Sequence, residues 1–299
     1  LIESRMVWAE SQPATPAASA DEPPQKDTPA ATDESQVELP LGYTPPREIP
    51  EGASSDEQWI VPLGDDSKQA VTAARRDYYR VFSNGKFQDD ADRENFENYI
   101  RWQLSQFTLR ENLVVTKNQI AIADAKKKIL GDLDLAKKAD GQVFDVYAQT
   151  LVREAPKLFE YHFIARLNGA EILAVLSDPN GKPYLPAAAP LLDFLKQQQQ
   201  LEGVRVPAVR GLARIMRDGQ PPSDLKDEIL KTFVNELQTG NPQNDVLPAR
   251  IAQELGTFEV TSDKSNTPVV VNALMETLAD KRRPFRVRAI GVAPGKKSA

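Results

Sequence analysis

The chain holds a single histidine, His162, in the apolar run Phe159-Glu160-Tyr161-His162-Phe163. An imidazole trades protons near neutrality more readily than any other side chain. A general base needs a group to activate, and no Gly-x-Ser-x-Gly elbow or other paired nucleophile motif accompanies this one. One histidine also excludes a His-Glu-x-x-His zinc site. His162 is therefore expected to be a packed or surface residue within a helix over 159–176. A second candidate is the run Asp89, Asp90, Asp92 and Glu94, which has the spacing of hard oxygen ligands. Where a calcium loop wants glycine and a closing glutamate, it has Asn95 and Arg101. Acids also favour a helix N-terminus, where the backbone dipole is positive. That second reading predicts a helix start and no metal.

The third candidate is cationic. Residues 281–299 carry seven basic side chains and no acidic ones. Arg282, Arg283, Arg286 and Arg288 surround Phe285. Such a cluster could contact phosphates of a nucleic acid, with the aromatic ring as a stacking partner. It could equally meet an acidic protein or an anionic lipid, or simply open a helix and keep a tail soluble. The rest of the chain weighs against nucleic acid. Residues 57–280 are net −5, and the pI is 5.1. With no cysteine in the chain, disulfides, thiolate metal sites and cysteine nucleophiles are excluded. Asn84-Gly85-Lys86 and Asn180-Gly181-Lys182 lack the preceding spacing of phosphate loops and read as turns. No cofactor is expected, and no apolar run reaches the ~18 residues of a membrane span.

These residues must be carried by something. Residues 1–55 contain 9 of the 23 prolines, and residues 1–56 hold 3 basic and 11 acidic side chains. So little apolar material cannot offset ordering entropy, which predicts a disordered acidic Pro/Ala-rich segment. Its short motif Leu39-Pro40-Leu41-Gly42-Tyr43 could dock on the folded part as an arm. The chain opens on Leu1, and Met6-Val7-Trp8-Ala9 reads either as the stub of a removed export signal or as an arbitrary start.

Residues 56–156 are expected to be a divergent all-α region. Asp66 or Ser67 can cap a helix carrying Val71, Ala74, Tyr78, Val81 and Phe82. Phe96, Tyr99, Ile100, Leu104 and Phe107 keep helical spacing. Further helices are expected over 113–135 and around Phe144–Val152. Beyond residue 156, helices are expected over 159–176, 184–198, 204–216, 223–237 (capped by Ser223), 246–255, 268–278 (capped by Thr267, with Pro268 first) and 285–292. The glutamines 197–200 read as a solvated helix end.

The later helices repeat. Leu195, Leu237 and Leu278 recur at intervals of 42 and 41 residues, and Ala208, Ala249 and Ala289 at 41 and 40. The segments Val204-Arg205-Val206-Pro207-Ala208-Val209-Arg210-Gly211-Leu212 and Phe285-Arg286-Val287-Arg288-Ala289-Ile290-Gly291-Val292 resemble the second helix of HEAT repeats, which pair two helices per ~40–47 residues. Val246-Leu247-Pro248-Ala249-Arg250-Ile251-Ala252 is similar without the Val-Arg pair, and Phe163-Ile164-Ala165-Arg166-Leu167 resembles an earlier copy. The chain is in this respect similar to bacterial HEAT-repeat-containing proteins of no known activity. The resemblance implies an armadillo-like α-α superhelix, a solenoid, over 157–299. It further implies a scaffold that binds a protein partner and is not an enzyme. Some HEAT-like proteins are DNA glycosylases or pigment lyases, so a catalytic alternative stays open, as does nucleic-acid binding through the arginine cluster. In the last copy, Val287, Ile290 and Val292 are expected to leave an apolar end uncovered.

Overall fold

The computed structural model describes residues 65–108, 112, 119–139, 141–242, 244–259, 262 and 265–290. The expected disordered segment over 1–55 and its Leu39–Tyr43 arm lie outside them, as do residues 291–299.

The described residues are all-helical, with no strand among them beyond one isolated antiparallel bridge, Ser177 to Pro183. The α-helices are α1 Asp65–Asn84, α2 Asp90–Ser105, α3 Gln119–Ala136, α4 Gly141–Glu154, α5 Phe163–Val175, α6 Ala188–Leu195, α7 Glu202–Asp218, α8 Ser223–Thr239, α9 Val246–Leu255, α10 Val269–Ala279 and α11 Phe285–Ile290. Two 3-10 helices, Ala155–Glu160 and Leu185–Ala187, lead into α5 and α6.

Local chemistry sets most of the boundaries. Helix α1 buries Ala74, Tyr78 and Val81, spaced by four and three residues. It stops before Gly85, whose φ of +71° suits a residue without Cβ. Asp89 then caps α2, accepting a hydrogen bond from the Asp92 N–H at 2.8 Å. In the turn before α6, the Asp178 carboxylate accepts from the N–H groups of Asn180 and Lys182, and Gly181 has a φ of +79°.

Several expected boundaries are corrected. Helix α1 already runs at Asp65, so Asp66 and Ser67 sit in its first turn and cannot be its cap. Ser223 is the first residue of α8, and the cap position belongs to Pro222, which makes no side-chain capping bond. Helix α10 begins at Val269, one residue after Pro268. The single helix expected over 159–176 is two pieces, broken at Tyr161 and His162. The helix expected over 184–198 narrows to a 3-10 turn and the short α6, because its glutamine end does not continue the helix.

Packing follows a regular order. Helix α2 packs on α1 and α4, α3 packs on α4, and the 3-10 helix after α4 packs on α5. From there α7 packs on α5, α9 on α7 and α11 on α9. Alongside them α6 packs on α7, α8 on α9, and α10 on both α8 and α11. One apolar cluster runs without a break from Ala74 to Ala273. Helix α7 lies close on α5. A Cβ on Gly211 would lie 2.7 Å from the Ala174 Cα, so only hydrogen fits there. Around Tyr78 the core is aromatic: its ring packs against Phe82, Phe96 and Tyr99 at centroid distances of 4.7–4.9 Å.

Candidate functional site

His162 lies in the gap between the 3-10 helix and α5. It is the N-cap of α5, in extended conformation, and its Nδ1 accepts the Ala165 N–H at 3.4 Å. With Nδ1 an acceptor, the neutral ring carries its proton on Nε2. The residue is 1% exposed. Burial pushes its pKa down from 6.5 to about 4; the Phe107 backbone opposes the shift and the Arg166 charge adds to it. A ring closed off from solvent and committed to a backbone N–H is a capping group; of the packed and surface placements open to it in the sequence, it takes the packed one.

The acidic run is likewise dispersed into structure. Asp89 caps α2, while Asp92 is buried and paired with Arg80 of α1. Among the described residues no group of three or more histidine, aspartate or glutamate side chains is arranged to hold a metal ion.

The other buried charges join helices to each other. Asp132 of α3 accepts hydrogen bonds from the Tyr78 hydroxyl at 2.8 Å, from Gln103 Nε2 at 3.1 Å and from Lys128 Nζ at 3.1 Å. The Lys128 ammonium also stands over the Tyr79 ring, 4.5 Å from its centroid. Glu154 is buried among Arg101, Arg153 and Lys157. Burial works against its carboxylate, but these three cations together hold its pKa below the ordinary value. Arg205 of α7 donates to the Leu195 carbonyl at the end of α6 and pairs with the buried Glu236 of α8. Arg217 pairs with Glu254, tying α7 to α9. Each pair satisfies groups that would be costly to bury alone. The contacts of Arg101 with Glu154, Arg205 with Glu236 and Arg217 with Glu254 span 53, 31 and 37 residues, too far to carry a local sequence signal.

A cleft of about 640 Å³ opens beside the 3-10 helix and α6, lined by Pro156, Glu160, Arg166, Asp193 and Gln197. Its base is formed by Phe159 stacked on Phe194 at 4.0 Å. The guanidinium of Arg166 is used internally, donating to the Tyr161 carbonyl and the Gln200 side chain. Its carboxylates and amides can hold a polar segment, and they present no base–nucleophile pair.

The four arginines of the cationic cluster are not brought to one surface. Arg282 is exposed and held by Asp280 through two side-chain bonds, at 2.9 and 3.1 Å. Arg283 is buried and donates to the Leu237 carbonyl at the end of α8. Arg286 is exposed, and Arg288 is half-buried, 6.0 Å from the Phe285 ring centroid. Beside them lies a feature the sequence did not flag as a surface. Val271, Met275 and Leu278 of α10 and Phe285 of α11 are all exposed, Met275 by 60% and Phe285 by 76%. Val287, expected at an uncovered end, is fully buried; the side chain of Ile290 and all of Val292 lie outside the described residues. The apolar periodicity of α10 was visible, but nothing in the sequence says which neighbour covers it.

Among the described residues no helix is long and apolar enough to cross a membrane. No known protein family, curated protein or solved structure matches this chain.

Proposed function

We propose that this chain is a non-catalytic, protein-binding scaffold built on HEAT-like helix pairs over 157–299, with the helices of 56–156 acting as a divergent cap. The observation that carries the reading is the packing order. The sequence interval of about 41 residues coincides with helix pairs α6–α7, α8–α9 and α10–α11, and α7, α9 and α11 lie one on the next. Stacked pairs bury a continuous core and leave extended surfaces free for a partner.

The side chains with chemical potential support the same reading. His162 is a helix cap and the buried carboxylates are paired to cations of neighbouring helices. The glycosylase- or lyase-like alternative would need an accessible acid or base in a cleft, and its candidates are the exposed Glu160 and Asp193 of the 640 Å³ cleft. The nucleic-acid alternative is weakened by the burial of Arg283 and by the pairing of Arg282 with Asp280.

The test is affinity capture by the full chain from extract of its source cell, with and without nuclease. The expected result is a stoichiometric protein partner that survives nuclease. Recovery of nucleic acid alone, lost on nuclease treatment, would overturn the reading.

A further inference from the structure

Helices α8 and α10 stand 41 residues apart in register. Leu230, Phe233, Val234 and Leu237 of α8 correspond to Val271, Leu274, Met275 and Leu278 of α10. In α8, which packs on α9 and α10, Leu230, Phe233 and Leu237 are all 1% exposed or less. In α10 two of the three counterparts are open, Val271 at 49% and Leu278 at 36%, while Leu274 is half-buried against the core. Two positions covered in α8, those of Leu230 and Leu237, are thus left open in α10. Ala249, at the small-residue position of α9, is buried, while its counterpart Ala289 on α11 is exposed.

We propose that this end face, Val271, Met275, Leu278 and Phe285, is a docking surface for an acidic amphipathic helix of a partner protein. This rests on the scaffold reading above and adds the site and the partner's chemistry. The stripe, spaced by four and three residues, matches the apolar side of a helix lying along it. The rim selects the charge. Lys281 and Arg286 are exposed on the segment that follows the stripe, whereas Arg282 is paired with Asp280 and Glu276 of α10 accepts from Gln238. A partner helix with carboxylates on its flanks is attracted; a basic one is repelled. A second copy of the same face would set this cationic rim against itself, which disfavours a symmetric dimer.

The probe is a stapled, fluorescent peptide copying residues 267–280, the helix that packs on α8 and carries Glu276 and Asp280. Stapling removes the helix-ordering cost that a short peptide would otherwise bear. Titrated with the full chain, its anisotropy should saturate. Met275→Glu should weaken binding by about tenfold or more, a burial-site effect. That side chain is 60% exposed, so the variant should keep the wild-type helical signal and melting temperature. Arg286→Gln should weaken binding and flatten its salt dependence, and a peptide with Glu276 and Asp280 changed to lysine should bind less. Absence of saturation, or equal binding by Met275→Glu, overturns the proposal. So does preferential binding to vesicles of 70% phosphatidylcholine and 30% phosphatidylserine, or self-association that Met275→Glu abolishes. If Met275→Glu still captures the native partner in full, the end-face assignment falls while the scaffold reading stands.

Discussion

Protonation of His162 gives a sharp prediction about acid stability. Its imidazole has a pKa of about 4 in the folded chain against 6.5 when unfolded, with burial as the main cause. The depressed value fixes the sign. Between pH 6.5 and 4 the unfolded chain binds a proton that the folded chain refuses, so falling pH favours unfolding. The slope is about 1.36 kcal/mol per pH unit within that window. The histidine should therefore cost about 1.4 kcal/mol of stability by pH 5.5 and about 3 kcal/mol by pH 4, relative to pH 7.5. Below pH 4 the cost levels off, because the folded form then takes the proton too, at the expense of the Ala165 cap.

Carboxylates titrate in the same range with opposing signs. Glu154 is held low, so its protonation destabilises, while burial raises the pKa of Glu202, so its protonation works the other way. The comparison that isolates the histidine is His162→Asn, since asparagine also caps helices but does not titrate. Urea unfolding followed by circular dichroism should be measured for both proteins from pH 7.5 to 4. The wild type should lose about 3 kcal/mol relative to the variant across that range. A difference constant to within about 0.5 kcal/mol would show that the ring titrates alike in the folded and unfolded chain, as a solvated imidazole does, and would refute the capping argument.

Other perturbations follow from the helix junctions. Glu236→Ala leaves the Arg205 guanidinium buried without its carboxylate and should cost about 3–5 kcal/mol in a denaturant titration, whereas Arg205→Met with Glu236→Leu should be far milder. Gly211→Ala pushes a methyl against the Ala174 backbone and should lower stability by about 1–3 kcal/mol despite alanine's better helix propensity. Asp89→Ala removes the cap of α2 and should cost about 1 kcal/mol, readable as a melting-temperature shift.

The helices were legible in the sequence because their apolar residues repeat at helical spacing. Tyr78, Val81, Phe96, Ile100, Leu104 and Phe107 were all expected at apolar helical positions and are buried. Breaks were harder to read. Nothing in Phe159-Glu160-Tyr161-His162-Phe163 marks a helix end by composition, and the interruption is made by tertiary packing around a histidine that caps the next helix. The arginine cluster shows the same limit. Four arginines close in sequence have separate fates, because the connection between α10 and α11 carries Arg283 under the end of α8 while Arg282 and Arg286 are exposed. Pairings such as Arg205 with Glu236 depend on which helices become neighbours, which is information about the fold and not about any local segment.

That distinction between pattern and coverage can be measured directly. Leu237 and Leu278 occupy the same place 41 residues apart, and a reader of the sequence would assign them the same role. Leu237 is fully buried on α8, whereas Leu278 on α10 is 36% exposed. Leu237→Ala removes buried methyl groups and leaves a cavity, at a cost of about 2–5 kcal/mol. Leu278→Ala removes side-chain atoms already partly in water, and should cost no more than about 1 kcal/mol. Unfolding of the isolated chain should show that gap of several-fold. Equal costs would mean that α10 is covered in solution, and the end face would then be unavailable to any partner. A large gap that closes when the acidic peptide is added would tie the missing stabilisation to the docked helix, since a ligand that binds only the folded state adds to its stability.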